Sequence, residues 1–204
     1  PEEAIYFGNV TQMDHEVGRM LATLDDLGLR DDTFVMFTSD NGPETLNRYR
    51  GAARSYGSPG VLRGMKLHVY EGGIRVPGIV RWPGVTHAGS VVTDAVSGVD
   101  LLPTMCAAAG VDVPTDLHQD GADVAPLLGG ESIDRARPLY WQYDAAISKP
   151  RVAIRDGDWK LLANADLDEF ELYNLREDPT ERDDALEREP ARVARMRDTL
   201  CAMH

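Results

Sequence analysis

Two short stretches of this 204-residue chain carry side chains suited to chemistry on an anionic ester. The first is Asp40-Asn41, directly after the apolar run at 33–38. A carboxylate beside a carboxamide offers hard oxygen donors, which suit calcium or magnesium better than zinc. Two donors fall short of the roughly six to eight oxygens that calcium takes, so any metal here needs ligands from elsewhere. Taken alone, Asp40-Asn41-Gly42 is more simply a plain turn. The second stretch is Arg63-Gly64-Met65-Lys66, followed by Glu71-Gly72-Gly73-Ile74-Arg75-Val76-Pro77. A lysine held beside a metal can contact an oxygen of a sulfate or phosphate ester and stabilise charge developing there. The paired glycines would let backbones come close or take positive φ. A lone lysine is more often a solvated surface group, and Glu71 with Arg75 makes most sense as an ion pair.

The elements that must position these residues follow from apolar spacing. Val10, Met13, Val17, Met20, Leu21, Leu24 and Leu27 recur at helical intervals, and Gly28 suits a left-handed helix end. Residues 33–38 are apolar on both alternations and predict a strand covered on both faces. A helix leading into a buried strand is half of an α/β unit, and in open α/β sheets ligands bind beyond the carboxyl ends of the strands. Residues 44–64 lack periodicity and predict a long loop, a feature more often functional than not. A strand is predicted at 78–83 and a helix at 100–109, ending at Gly110. Beyond Gly130 come four short strands, at 139–143, 152–155, 159–162 and 170–173. Asp156-Gly157-Asp158 is the hairpin turn between two of them. A last helix starts near Pro190 with Val193, Met196, Leu200 and Met203 on one face. The expected organisation is therefore an α/β part over 1–134 and an antiparallel sheet with a terminal helix over 135–204.

Composition narrows the partners. With 34 acidic against 21 basic residues the formal charge is −13, which argues against nucleic acid. From 156 to 189 there are 13 acidic and four basic residues, read as a solvated face. No apolar run nears the roughly 18 residues of a membrane span, and no leader-like segment opens the chain. Cys106 and Cys201 have no CxxC partner and are expected to be buried thiols.

The motifs together resemble the type I, formylglycine-dependent sulfatase family, nearest the N-acetylgalactosamine-6-sulfatase and arylsulfatase A group. Thr38-Ser39-Asp40-Asn41-Gly42 is similar to that family's metal-ligand strand end. Leu62-Arg63-Gly64-Met65-Lys66, running into Glu71-Gly72-Gly73-Ile74-Arg75-Val76-Pro77, is similar to its sulfate-binding lysine segment. Residues 6–14 with Val17-Gly18 resemble the helix before the metal strand. Val99-Asp100-Leu101-Leu102-Pro103-Thr104, Asp120-Gly121 and Pro126-Leu127-Leu128 resemble the later core. Arg155-Asp156-Gly157-Asp158-Trp159-Lys160-Leu161, Glu171-Leu172-Tyr173-Asn174-Leu175 and Asp178-Pro179 resemble the small C-terminal domain.

The resemblance implies the C-terminal part of an alkaline-phosphatase-like α/β sandwich core, followed by a small antiparallel sheet-plus-helix subdomain. It implies that Asp40 and Asn41 ligate Ca2+ and that Lys66 binds the sulfate. The nucleophile, a formylglycine made from Cys or Ser in C/S-x-P-x-R, has no counterpart here. Ser148-Lys149-Pro150-Arg151 comes nearest, with the arginine one place early. The paired aspartates of the family's first strand are missing too. Both are expected in an N-terminal half of the same protein, and the chain alone is expected to be inactive. The substrate implied is a sulfated carbohydrate or aryl sulfate; Arg48, Arg50 and Arg54 could meet an acidic sugar, but read more simply as solvated arginines. A periplasmic, secreted or lysosomal setting goes with the family. A phosphate or phosphonate ester hydrolase of the same superfamily, or a non-catalytic sulfatase-like scaffold, would keep many of the same segments.

Overall fold

The first apolar repeat folds into a long helix, α1 (Glu2–Asp26), in a computed structural model that describes residues 2–45 and 55–204. Glu2 and Glu3 lie in its first turn, where the helix dipole favours negative charge. Its end is built as the sequence predicts. Gly28 takes φ +67°, its N–H reaches the Asp25 carbonyl at 3.0 Å, and Leu29 N–H reaches Leu24 at 2.8 Å. These are the two hydrogen bonds of a Schellman cap. The predicted apolar face, however, is uncovered among the described residues. α1 buries none of its side chains, and Met20 is 70% exposed.

The chain forms two compact units, Pro1–Gly84 and Val85–His204. The first contains α1, β1 (Val35–Thr38), a single helical turn α2 (Glu71–Ile74) and β2 (Gly78–Arg81). The two strands pair antiparallel, from Val35 opposite Arg81 to Thr38 opposite Gly78. The expectation that the first strand is covered on both faces fails within this unit. β1 is half-buried and its end at Thr38 is exposed, because two strands alone supply neither a second layer nor a third neighbour. The helical turn α2 was not foreseen, since two glycines in four residues oppose helix formation.

The second unit opens with a 3₁₀ turn, Gly98–Asp100, and α3 (Leu101–Ala109), which ends at Gly110 with φ +66° as predicted. The buried Asp100 carboxylate organises this region. It forms a two-pronged ion pair with Arg135, at 2.8 Å on each oxygen, and accepts the N–H groups of Ser97 and Ala122. Thr104 Oγ1 donates to the Asp100 carbonyl and accepts Val124 N–H, tying in α4 (Ala125–Leu128). Four hydrogen bonds on one carboxylate are what a fully buried charge requires.

A four-stranded antiparallel meander follows: β3 (Leu139–Gln142), β4 (Val152–Asp156), β5 (Trp159–Ala163) and β6 (Phe170–Asn174), in that spatial order. Asp156 pairs with Trp159, so Gly157-Asp158 is a two-residue hairpin loop, with Gly157 at φ +58°. Val152, Ile154, Leu161, Ala163 and Leu172 face the terminal helix α5 (Pro190–Met203), which contributes Met196 and Leu200. Each fully buried aliphatic side chain there contributes about 1.5–3 kcal/mol. Lys160, one strand position from Leu161, is wholly buried and sits 2.8 Å from the equally buried Glu181. Glu181 is thus an exception to the solvated reading of the acidic stretch. The two cysteines also depart from expectation: Cys106 is half-buried, and Cys201 is exposed because it lies off the Met196 and Leu200 face of α5. The 134/135 boundary drawn from sequence marks the approach to the sheet, whereas the compact units divide between Gly84 and Val85.

Candidate active site

The two chemistry-bearing stretches are joined by main-chain hydrogen bonds within the first unit. Gly42 N–H donates to the Gly73 carbonyl at 2.8 Å, and Lys66 N–H donates to the Pro43 carbonyl at 2.8 Å. Gly72 N–H reaches Arg63 at 2.7 Å, closing the segment 63–73 on itself. The loop after β1 therefore rests on α2 through one bond and on the lysine turn through the next. Thr45 Oγ1 adds a 3.0 Å contact to the sulfur of the buried Met65.

Glycine makes this contact possible. A Cβ on Gly42 would stand 1.9 Å from the Gly72 carbonyl oxygen, and one on Gly73 would stand 2.1 Å from that of His68. Gly72 would meet the Arg63 carbonyl oxygen at 2.5 Å. Of the two uses predicted for the Gly72-Gly73 pair, close approach of backbones is the one realised; neither has positive φ.

Asp40 is exposed, while Asn41 and Lys66 are half-buried. Asn41 Nδ2 donates to the Gly42 carbonyl at 3.0 Å, which leaves its Oδ1 as the free donor atom toward a cation. Ser39 Oγ lies 3.4 Å from Asp40 Oδ1 and donates to the Asn41 carbonyl at 3.2 Å. The donor chemistry fits a hard cation. Among the described residues no three His, Cys, Asp or Glu side chains are placed to hold an ion. Glu71 is buried at 2% exposure with Arg75 Nη1 3.8 Å from its Oε2, the ion pair expected from the sequence. Arg48, Arg50 and Arg54 lie outside the described residues.

Two neighbours of Lys66 escaped the sequence reading. Leu67 adopts φ +75°, a left-handed backbone that a leucine does not advertise. His68 packs its ring 6.1 Å from Tyr70, whose face carries the Arg63 guanidinium at 3.9 Å. Its Nδ1 is buried with no hydrogen-bond partner among the described residues. Burial, and secondarily the Arg63 charge, hold the His68 pKa below the usual imidazole value. Only the odd placement of a histidine two residues after the lysine could have drawn attention to it.

Residues 4–111, just over half of the chain, match the sulfatase family model. The chain belongs to the sulfatase family. Residues 65–202 also match the C-terminal model of N-sulphoglucosamine sulphohydrolase. Rat steryl-sulfatase is 47% identical over 125 residues, covering 61% of this chain and 22% of the relative. Human arylsulfatase A is 39% identical over 157 residues, covering 76% of this chain and 29% of the relative. The sulfatase chain thus spans under a third of the curated relatives it matches.

Solved structures agree on the fold. Ps i-CgsB in complex with k-i-k-neocarrahexaose superposes with a TM-score of 0.75 at 28% identity, covering 99% of this chain and 42% of the other. BT4656 in complex with its substrate D-glucosamine-2-N,6-O-disulfate gives 0.67 at 29% identity, covering 95% and 37%. These place the sulfatase chain in the C-terminal part of an alkaline-phosphatase-like α/β fold, as the motifs implied.

Proposed function

We propose that this chain is the C-terminal part of a calcium-dependent sulfatase that removes sulfate from a sulfated carbohydrate or an aryl sulfate. The observation that supports the reading is a pair of main-chain bonds, Gly42 N–H to the Gly73 carbonyl and Lys66 N–H to the Pro43 carbonyl, which tie the loop after Asp40 and Asn41 to the Lys66 turn. In this reading Asp40 and Asn41 supply two oxygen donors to Ca2+, and partners upstream of this chain complete the shell. A bound calcium ion would supply charge stabilisation to the sulfate oxygens. Lys66 donates from its ammonium to a sulfate oxygen, and the bond strengthens as negative charge builds on that oxygen. The glycine contacts and the Lys66–Pro43 main-chain bond keep the lysine turn from shifting relative to the Asp40-Asn41 loop.

The nucleophile belongs to the upstream half in this account, as does the second part of the metal site. Among the described residues nothing covers the apolar face of α1 or the outer edges of β1 and β2, and in this reading the upstream half meets them. A sulfated sugar is the favoured substrate class, supported by the neighbour solved with a disulfated glucosamine. A phosphonate monoester hydrolase of Agrobacterium radiobacter also superposes, with a TM-score of 0.64 at 27% identity. Both family models and the curated relatives name sulfatases, which favours sulfate. A periplasmic, secreted or lysosomal setting accompanies the proposal; no described helix is long and apolar enough to cross a membrane.

The test is calcium dependence in the complete protein. Sulfate ester turnover should disappear on chelation and return with Ca2+, and Asp40→Ala should raise the calcium concentration needed at least ten-fold. Turnover that survives exhaustive chelation in both proteins would overturn the metal assignment.

A further inference from the structure

Lys66 sits in a four-residue turn, Met65 to His68, closed by His68 N–H on the Met65 carbonyl at 3.0 Å. Leu67 occupies the third position of that turn with φ +75°. Turns with positive φ at this position call for glycine or asparagine, because a Cβ crowds the following carbonyl. Among the described residues only three others than glycine have positive φ, and Leu67 is the one beside the candidate site. Strain of this kind persists only where the surroundings over-determine the backbone. Here they do. Lys66 N–H is fixed on Pro43, Met65 is 6% exposed before the turn, and Val69 and Tyr70 are 1% and 5% exposed after it.

Both ends of the turn are therefore anchored in the packed part of the unit, and with the ends held it is the left-handed Leu67 backbone that sets the orientation of the peptide between Lys66 and Leu67. We propose that Leu67 is a positioning residue, whose left-handed backbone fixes the direction in which Lys66 presents its ammonium to the substrate's sulfate group. The requirement is on the backbone and not on the leucine side chain. This rests on the sulfatase reading of Lys66, and goes beyond it by assigning how that lysine is aimed.

The experiment compares Leu67→Gly, Leu67→Asn, Leu67→Val and Lys66→Ala in the complete protein, with a sulfate ester as substrate and unfolding temperatures measured alongside. Glycine and asparagine tolerate positive φ, so those two variants should keep kcat within three-fold. Valine, branched at Cβ, is least able to hold it. Leu67→Val should lose at least ten-fold in kcat with KM within three-fold, at temperatures well below its unfolding. A merely structural role would lower the unfolding temperature and leave kcat intact. Wild-type kcat in Leu67→Val, or a ten-fold loss in either the Gly or Asn variant, would overturn the proposal. If Leu67→Val does not fold, the Gly and Asn variants decide by the same ten-fold criterion. Unchanged turnover in Lys66→Ala would defeat the sulfatase reading of that lysine and this inference with it. Loss in Lys66→Ala beside a normal Leu67→Val would defeat only the inference.

Discussion

Replacing Gly42 by alanine should dismantle the candidate site without touching any residue proposed to act chemically. The added methyl would start 1.9 Å from the Gly72 carbonyl oxygen and 3.0 Å from the Gly73 Cα. Carbon and oxygen in ordinary contact stay about 3.3 Å apart, so the loop must retreat by roughly 1.4 Å. The Gly42 N–H bond to Gly73, now 2.8 Å, would then stretch beyond the limit of a useful hydrogen bond. The neighbour of Gly42, Pro43, is the acceptor for Lys66, so the displacement passes to the lysine turn. Overpacking costs about 1–3 kcal/mol and the lost main-chain bond about 1 kcal/mol, or about 2–4 kcal/mol in all. A shift of order 1 Å at a catalytic group can reduce rate about 10²-fold. Urea unfolding of the complete protein and kcat/KM on a sulfate ester would read both effects. Stability within about 0.5 kcal/mol of the parent and turnover within three-fold would refute the close-contact argument.

Two further outcomes follow from buried charge. Lys160→Met should destabilise the protein by about 3–5 kcal/mol, because it leaves the Glu181 carboxylate in a site with no solvent; a change below 1 kcal/mol by denaturant titration would mean that water reaches the pair. For His68, the folded pKa is held down by burial and by Arg63, so below pH about 6.5 the unfolded chain binds the extra proton. Its contribution to stability is full above that pH and is lost as pH falls through the folded value. Thermal unfolding between pH 8 and 5 should therefore fall more steeply in the wild type than in His68→Gln, and parallel curves would refute it.

Much of the fold was legible because local rules acted alone. Gly28, Gly110, Gly157 and Pro190 each mark an element end where a backbone conformation is set by one residue, and each stands where expected. The strands of the meander are likewise set by local alternation and a tight hairpin. The candidate site was half legible. Asp40, Asn41 and Lys66 are candidates by residue type only in combination, and the contacts that join their loops run between backbones 31 and 23 residues apart. No spacing rule reports that Gly42 lies under Gly72, or that Leu67 is left-handed. Lys160 misleads in another way, since its partner Glu181 hides in a stretch whose other acids are mostly solvated. The α1 face shows the converse error: its apolar period was read correctly, but the surface that would bury it is not among the described residues.

The central claim is that Lys66 binds the sulfate at a site shared with the Asp40-Asn41 loop. The most direct test is kcat/KM of the complete protein and of its Lys66→Ala variant on a sulfate ester, with the matching phosphate ester as control. The account predicts a loss on the order of 10²-fold for the sulfate ester in the variant, with the parent preferring sulfate over phosphate. Turnover within three-fold of the parent, or a parent that prefers the phosphate ester, would contradict it.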